Sequence, residues 1–422
     1  MVKSVTERKK IIRREAGRGN VSMQSLIDRV NSLFNHKRFN LLAAGVIAAM
    51  VLIAYSNTFT ASFHFDDNPA IIENATIRHI TVENIGELIQ GLRPVVYLSL
   101  MLNYAVSGLN VVGWHMFNIG IHIVNSVFVY FLLLWTLSMP VLGGKYEDRA
   151  KRMALFAALL FGVHPIQTES VTYIISRTEL LATCFYLATF LLFIKGARSG
   201  KFGYTIGMFI TAVLSMGSKE WAVTLPAVLL VYDILFIAEG KVRPVLGRWL
   251  MYAVVTVPWY IVLKSLNLFT PGGSAGIGFS IQSPGGLNAQ TYFLTSMNVI
   301  WTYVRLLFLP INQNLDYEYP VAKTLFELPT IISFLGHLVV TIGAFMLYRR
   351  RTLLLIPFGV AWFYIGLSPT QSVVPIIDVI FEHRVYMPSI GFFIVFVVAY
   401  EELFAWWEKR KAPVALAGQE TR

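Results

Sequence analysis

The feature of this sequence that most constrains its fold is a series of long apolar runs separated by short polar segments. Of the 422 residues, 55% are hydrophobic and only 14% are charged, whereas a soluble globular protein carries about 25% charged residues. So few charges cannot cover a surface that faces water. We therefore predict an all-α fold, a polytopic transmembrane helical bundle.

The distribution of basic residues agrees with a membrane protein and argues against a nucleic-acid partner. The net charge is +11, and the segment before Phe39 contains ten basic and three acidic residues. The other basic residues lie in short loops between apolar runs, which is the positive-inside pattern. The single cysteine, Cys184, lies in an apolar run, which excludes disulfides and cysteine-based metal sites.

The apolar runs predict about ten spans, since a spanning helix needs roughly 17–25 predominantly apolar residues. The predicted spans are residues 39–63, 114–137, 153–163, 171–194, 202–216, 221–237, 249–269, 330–348, 353–367 and 388–405. This arrangement places both termini in the cytoplasm. Residues 290–309 are long enough to span, but a crossing there would put the basic residues 349–351 outside. We therefore predict an in-plane or re-entrant helix on the outer side.

The predicted domain organisation is simple. Residues 1–38 form a basic cytoplasmic segment, residues 39–407 form the membrane domain, and residues 408–422 form a cytoplasmic tail. The membrane domain has outer loops at 64–113, at 270–329 with the in-plane helix, and at 368–387.

Two adjacent carboxylates, Asp66 and Asp67, follow the first predicted span on its outer side. Neighbouring carboxylates repel each other, which tends to raise one pKa. A carboxylate with a raised pKa suits a general base for a hydroxyl nucleophile. The alternative is a helix cap or a solvated loop, where Asp is common.

Four outer segments each present a cation, namely Arg93, Arg177, Lys219 and Arg384. Arg93 precedes Pro94 at a predicted helix start, where it could hold a phosphate or anchor the chain at the membrane surface. Four cations near a carboxylate pair describe a site for a phosphate-bearing substrate handled by an acidic base.

Other polar residues on the outer side are candidates for supporting roles. His115 and Asn118 begin a stripe that continues with His122 and Asn125 on one helical face, for which interhelical hydrogen bonds are the alternative. His164 and Glu169 could bind a metal, although their spacing matches no standard zinc pattern. Glu179 could form a structural ion pair with Arg177. The remaining candidates are Glu220, Glu382, His383 and Tyr386.

These segments together resemble the transmembrane half of the TPR-containing O-mannosyltransferases that modify cadherins, and their prokaryotic relatives. The resemblance runs from about Ser56 to Phe393. Its motifs are Phe65-Asp66-Asp67, Arg93-Pro94-Val95, the stripe from Trp114 to Asn125, His164-Pro165-x-x-Thr168-Glu169, Arg177-Thr178-Glu179-Leu180-Leu181-Ala182, Ser218-Lys219-Glu220 and Arg384-Val385-Tyr386-Met387-Pro388-Ser389-Ile390-Gly391.

The resemblance implies a glycosyltransferase of the GT-C type that takes its sugar from a polyprenyl-phosphate-linked donor. It also implies that the first acid, Asp66, is the catalytic base of an inverting displacement, with Asp67 positioning the acceptor or tuning Asp66. Arg177 would bind the lipid phosphate with Arg93, Lys219 or Arg384. No obligatory cofactor is implied, although a divalent cation on Asp66, Glu169 or His164 is an option.

The expected acceptor is a Ser or Thr hydroxyl of a protein, or a glycan, at the periplasmic face of a bacterial inner membrane. The sequence has no TPR segment before its last residue, Arg422, so a separate acceptor-recognition partner is an expectation. An O-oligosaccharyltransferase or a lipid or polysaccharide glycosyltransferase of the same fold remains an alternative. A transporter or flippase would place its charges near the midplane, and a scaffold would not need a charged outer site.

Overall fold

The computed structural model describes residue 34 and residues 38–265, 287–376 and 378–417. The described residues contain no β-strand, so the prediction of an all-α fold is confirmed. The chain divides into two units, Met1–Val46 and Ile47–Arg422. The first unit contains the beginning of the first helix, and the second unit contains all the residues discussed below.

Fifteen α-helices are present in the described part of the chain. They are α1 Phe39–Ala54, α2 Val82–Gln90, α3 Pro94–Ser107, α4 Val111–Leu137, α5 Ala150–Val163, α6 Thr168–Thr172, α7 Arg177–Ser199, α8 Phe202–Met216, α9 Leu225–Tyr232, α10 Val242–Gly247, α11 Trp249–Ser265, α12 Ala289–Phe308, α13 Leu328–Arg349, α14 Leu355–Leu367 and α15 Ser389–Ala417. Short turns of 3₁₀ or π-helix connect several of them.

Five helical segments are long and apolar enough to cross a bilayer, which makes the chain an integral membrane protein. They are Val111–Leu137, Ile174–Ser199, Glu220–Ile237, Leu328–Arg349 and Ser389–Arg410. A bent pair, Glu147–Val163 with Pro165–Thr172, meets the same criteria when its two halves are taken together, and the bend between them is 50°.

The predicted total of about ten spans is not confirmed by these lengths. Four other predicted spans contain the shorter apolar helices Phe39–Ala54, Phe202–Met216, Trp249–Pro258 and Leu355–Leu367. Because each has fewer than 18 residues, length alone does not assign it as a span. The total therefore stays a prediction.

Helix α12 occupies the segment predicted to lie in the membrane plane. An Asn288 capping box starts this helix, and it runs for 20 residues. It is absent from the candidate spans found in the described residues. The loop predicted before it falls mostly on residues 266–286, which lie outside the described residues.

The segment 64–113, predicted to be an outer loop, contains helices α2 and α3 and has a small apolar core of its own. Ile71, Ile77 and Val96 are fully buried there, together with Trp114 at the start of α4 and Ile174 before α7. Full burial of one such aliphatic side chain contributes about 1.5–3 kcal/mol. This packing holds the loop that carries the carboxylate pair against the ends of two long helices.

Candidate functional site

The carboxylate pair lies on a loop whose two members have different environments. Asp67 is buried, and its Oδ1 accepts a hydrogen bond from the Ile175 backbone N–H at 2.8 Å. Its Oδ2 accepts from the His64 backbone N–H at 3.1 Å. Asp66 is exposed, and its backbone N–H donates to the Tyr173 hydroxyl at 2.9 Å. Asp67 therefore anchors the loop, whereas the Asp66 carboxylate is open to a ligand.

The backbone just before the pair is unusual. Phe65 has φ of +45°, in the left-handed region that a residue with a bulky side chain rarely adopts. Such a conformation costs about 1–3 kcal/mol and persists only where surrounding contacts enforce it. The side chain of Asp67 supplies such contacts, because it accepts hydrogen bonds from the backbone of His64, just before Phe65, and of Ile175.

Burial raises the pKa of Asp67 to about 6, while the two backbone N–H groups and the imidazole of His64 oppose this rise. The carboxylate next to it, Asp66, adds a smaller rise by repulsion. The sequence-based expectation that adjacency raises one pKa thus has the right direction, but burial is the larger cause.

Arg177 is fully buried at the start of α7 and is held by hydrogen bonds to the protein. Its guanidinium donates to the Asn118 side-chain oxygen at 2.8 Å and to the Asn103 side-chain oxygen at 2.6 Å. Weaker bonds reach the carbonyl oxygens of Ser99 and Trp114, both at 3.4 Å. A phosphate could reach Arg177 only if these contacts opened, so the phosphate-binding role implied for Arg177 stays a prediction.

The polar stripe of α4 hydrogen-bonds to neighbouring segments. Asn118 also donates to the carbonyl of Ile174 at 3.2 Å, and His115 hydrogen-bonds to the carbonyl of Ala61 at 3.0 Å. His122 and Asn125 both bond the hydroxyl of Tyr386, at 2.7 and 3.1 Å. The stripe therefore connects the bundle, as the interhelical alternative states, and Tyr386 is buried within it.

A second group of charged side chains gathers around two ion pairs. Arg93 makes two hydrogen bonds to the Glu220 carboxylate, at 2.9 and 3.1 Å. Lys219 pairs with Glu179 at 2.6 Å, and the indole N–H of Trp221 donates to the other oxygen of Glu179. Glu179 thus pairs with Lys219, rather than with Arg177 as the sequence suggests.

His383 and Glu169 adjoin this second group. Glu169 accepts from the His383 backbone N–H at 2.9 Å, and its other oxygen contacts His383 Nδ1 at 2.5 Å. The Nε2 atom of His383 lies 4.0 Å from the Glu179 carboxylate. Glu169 and His383 are 214 positions apart in the sequence, so no local pattern could have paired them.

Arg384 and Glu382 flank His383 but have different partners. Arg384 donates to the carbonyl of Val379 at 3.3 Å, and its guanidinium lies 5.2 Å from the centre of the Phe381 ring. The carboxylate of Glu382 accepts hydrogen bonds from Gln313, Asn314 and Tyr317, which follow α12. Glu382 therefore connects its own segment to the one that follows α12. Arg384 has no carboxylate among its hydrogen-bond partners in the described part of the chain.

His164 caps the turn at the bend between α5 and α6. Its Nδ1 accepts from the Ile166 backbone N–H at 3.2 Å, and its Nε2 donates to the carbonyl of Leu307 at 3.1 Å. His164 and Glu169 are thus engaged with separate partners. Within the described residues, no group of three or more His, Cys, Asp or Glu side chains could hold a metal ion.

Sequence reasoning missed several residues that shape the site. Tyr173 contacts Asp66, Trp221 holds Glu179, and Tyr317 holds Glu382. Tyr173 and Trp221 lie close to the recognised motifs in the sequence. Because a buried Tyr hydroxyl or Trp N–H usually has a hydrogen-bond partner, their residue types could have indicated a contact with the site. Tyr317 lies in the outer loop after α12, and nothing local in the sequence indicates its partner.

The candidate residues therefore form two groups that share one short segment. The first group has the Asp66–Asp67 loop and Tyr173. The second has the pairs Arg93–Glu220 and Lys219–Glu179, together with Arg384. The segment 168–173 contacts the first group through Tyr173 and the second through Glu169. An exposed carboxylate and a set of partly exposed cations are the groups that a base and an anion site require.

Comparison with known proteins finds similarity to eukaryotic protein O-mannosyl-transferases. The chain is 29% identical to the human protein O-mannosyl-transferase TMTC4 over 233 residues, which covers 48% of this chain and 30% of that protein. It is 32% identical to TMTC2 of Mus musculus over 225 residues, covering 49% and 26%. It is 25% identical to F38B6.6 of Caenorhabditis elegans over 391 residues, covering 85% and 51%.

No protein-family model matches the chain, and no solved structure matches it at a significant level. The chain spans between 26% and 51% of the length of the three relatives named above. The resemblance to protein O-mannosyltransferases, predicted from the motifs, is confirmed by these relatives.

Proposed function

We propose that this chain is a membrane glycosyltransferase that moves a mannosyl residue, or a closely related sugar, from a polyprenyl-phosphate carrier to a Ser or Thr hydroxyl. The observation that carries the proposal is the exposed Asp66 carboxylate on a loop that Asp67 anchors to Ile175. The relatives are named protein O-mannosyl-transferases, which supports the reaction class and a protein acceptor.

In the proposed reaction, Asp66 removes the proton of the acceptor hydroxyl as its oxygen attacks the anomeric carbon. The bond between that carbon and the phosphate oxygen breaks on the opposite side, so the configuration inverts. A positioned general base accelerates such a step by about 10²–10⁴-fold. The contact of Tyr173 with Asp66 orients the loop toward the acceptor.

The leaving polyprenyl phosphate would lie beside Arg93, Lys219 and Arg384. The side chain of Arg93 is 33% exposed and that of Lys219 is 14% exposed, whereas Arg177 is fully buried. We therefore propose that Arg177 acts through Asn118 and Asn103, by fixing the start of α7. The phosphate contact that the resemblance implies would require these bonds to open.

The active site is proposed to face the periplasm of a bacterial inner membrane, where the lipid-linked donor presents its sugar. A separate protein that recognises the acceptor is compatible with this arrangement. The same geometry would serve a lipid or polysaccharide acceptor, so the experiment must identify the acceptor directly.

The test compares the glycosylation of envelope and secreted proteins from cells that lack this chain, complemented with wild type, Asp66→Asn or Glu73→Gln. Glu73 is an exposed carboxylate of the same loop, which makes Glu73→Gln a matched control. Mass spectrometry should find a sugar on Ser or Thr of particular proteins with wild type and Glu73→Gln, but not with Asp66→Asn at equal expression. The added mass identifies the sugar.

Two outcomes would contradict different parts of the proposal. Full glycosylation by Asp66→Asn would remove the assignment of the base. No difference in any protein between wild type and the strain that lacks the chain would remove the protein acceptor, and envelope glycolipids and polysaccharides of the same strains would then be compared.

A further inference from the structure

Two segments that follow candidate spans meet on the side of the protein away from the candidate site. Glu220, which pairs with Arg93 in that site, begins the candidate span Glu220–Ile237. A crossing by this span places its end at the opposite membrane surface. The guanidinium of Arg351, just after α13, donates to the backbone carbonyl of Glu239 at 3.3 Å. The ends of the two spans therefore lie together, although Glu239 and Arg351 are 112 positions apart in the sequence.

The backbone of the first segment admits Arg351 and is held in place by a buried ion pair. Gly240 has φ of +80°, and a Cβ added there would collide with the guanidinium of Arg351. Glycine therefore permits both the left-handed backbone and this close approach. Further along, Arg248 makes two hydrogen bonds to the fully buried carboxylate of Asp233, and Tyr252 donates to the same carboxylate at 2.7 Å. The pair joins both ends of the segment that lies between Asp233 and Arg248.

The two segments carry an excess of exposed positive charge. This basic surface consists of Lys241, Arg243, Arg349, Arg350 and Arg351. None of the five cations forms an ion pair with a carboxylate in the described part of the chain. The two segments have one exposed acid, Glu239. The basic surface is therefore positively charged and open to an anion.

Exposed apolar side chains border the basic surface. Val242, Leu246 and Trp249 are each about two-thirds exposed, and they are spaced four and three positions apart, as on one face of a helix. Tryptophan prefers the boundary between the headgroups and the acyl chains of a bilayer. Helix α10 is therefore suited to lie at the membrane surface, with Lys241 and Arg243 at the level of the headgroups.

Helix α13, which ends at the basic surface, has little packing against the rest of the described chain. Of its most apolar stretch 11% is buried, against 44–67% for the other four candidate spans. Apolar side chains such as Ile332 and Val339 are largely exposed along it. Lipid acyl chains can cover these side chains, so α13 is positioned largely by lipid.

We propose that the basic surface binds an anionic phospholipid, with its phosphate among Lys241, Arg243 and the arginines at 349–351. Its acyl chains would cover the three exposed apolar side chains next to these cations. A soluble phosphate would match the charge but would leave the apolar side chains exposed. The surface lies on the predicted cytoplasmic side, where anionic lipids attract basic segments. The bound lipid would join the ends of two spans, and this role does not depend on the proposed sugar transfer.

The test measures which lipid lies next to Trp249. The purified full chain is reconstituted in vesicles of dioleoyl-phosphatidylcholine that contain a small, equal fraction of brominated phosphatidylglycerol or brominated phosphatidylcholine. Bromine quenches the fluorescence of a tryptophan that it contacts, and the difference between wild type and Trp249→Phe gives the quenching at this position. Phosphatidylglycerol should be preferred at Trp249 by about fivefold or more, since each basic residue near an anionic surface contributes about a factor of five.

Lys241→Gln combined with Arg243→Gln should remove most of this preference. Arg198→Gln combined with Lys201→Gln removes the same charge from exposed positions around the end of α7 and should keep the preference. Because the substituted side chains are all exposed, the variants should fold.

Three outcomes would overturn the proposal. Equal quenching of Trp249 by the two brominated lipids in wild type would show that no anionic lipid is selected. An equal loss of preference in the two double variants would indicate an effect of net charge alone. Loss of the preference when glycerol phosphate is added at constant ionic strength would assign the surface to a soluble phosphate. None of these measurements involves sugar transfer, so they are separate from the test of the proposed function.

Discussion

Replacement of Asp67 by Asn separates the anchoring role of this residue from catalysis. The buried carboxylate accepts one hydrogen bond on each oxygen, from Ile175 and from His64. Asn has one acceptor oxygen and one NH₂ group, so it keeps one bond and turns a donor toward the other backbone N–H. The variant therefore loses one of the two bonds by which residue 67 holds the loop of Asp66 in place.

The size of the effect follows from the geometry. A hydrogen bond to a charged group contributes about 1.5–3 kcal/mol, so the equilibrium between attached and detached loop should shift by roughly 10- to 100-fold, since about 1.4 kcal/mol corresponds to a factor of ten. We expect Asp67→Asn to lower the thermal unfolding midpoint in detergent and to reduce transfer. Asp66→Asn should keep the midpoint, because Asp66 is exposed, and lose transfer by about 10²–10⁴-fold.

Two assays on the same preparations distinguish the two roles. One measures sugar transfer to an identified acceptor, and the other monitors unfolding by tryptophan fluorescence. Asp67→Asn with the midpoint and the activity of wild type would refute the anchoring argument. An inactive Asp67→Asn with an unchanged midpoint, together with an active Asp66→Asn, would reverse the assignment and make Asp67 the base.

Two further predictions concern the surroundings of the site. Arg177→Lys should lower the unfolding midpoint, because a point charge cannot replace a guanidinium that bonds Asn118 and Asn103 at once; an unchanged midpoint with a raised donor KM would instead indicate direct phosphate binding. Gly391→Ala should destabilise by about 1–3 kcal/mol, because its Cβ would lie 2.4 Å from the Gly359 carbonyl oxygen; Gly343→Ala, whose Cβ meets nothing within 4 Å, is the control for the same melting assay.

The sequence predicted the helices well because hydropathy is a local property. The predicted span 330–348 lies within α13 and the predicted span 202–216 coincides with α8. The number of spans is harder to predict, since a run such as Leu355–Leu367 is apolar but short. Bilayer thickness sets a length requirement that composition alone does not satisfy.

The sequence suggests individual candidate residues, but it does not indicate which of them pair. An ion pair between Glu179 and Arg177 is an alternative that their closeness in sequence suggests, yet the partner of Glu179 is Lys219, 40 positions away. A difference of two positions puts side chains on different faces of a helix, so such neighbours do not meet. Tertiary packing sets which acid neutralises which cation, and one chain without structural information contains no signal for it.

The two groups of candidate residues are joined by one segment that follows a break between two helices. The bend of 50° between α5 and α6 falls at His164 and Pro165, where proline cannot donate the hydrogen bond that would continue the helix. At this break the ring of His164 hydrogen-bonds to the backbone N–H of Ile166 and to the backbone carbonyl of Leu307. These two backbone groups therefore have partners despite the interruption of the helix. After the bend, the segment 168–173 presents Glu169 to His383 and Tyr173 to Asp66. In an unbroken helix, positions four apart such as Glu169 and Tyr173 would lie on the same face. Such a helix would also lack the turn in which Tyr173 and Ile175 contact the loop of Asp66 and Asp67. The bend therefore lets one short segment contact both the loop of Asp66 and the segment of His383.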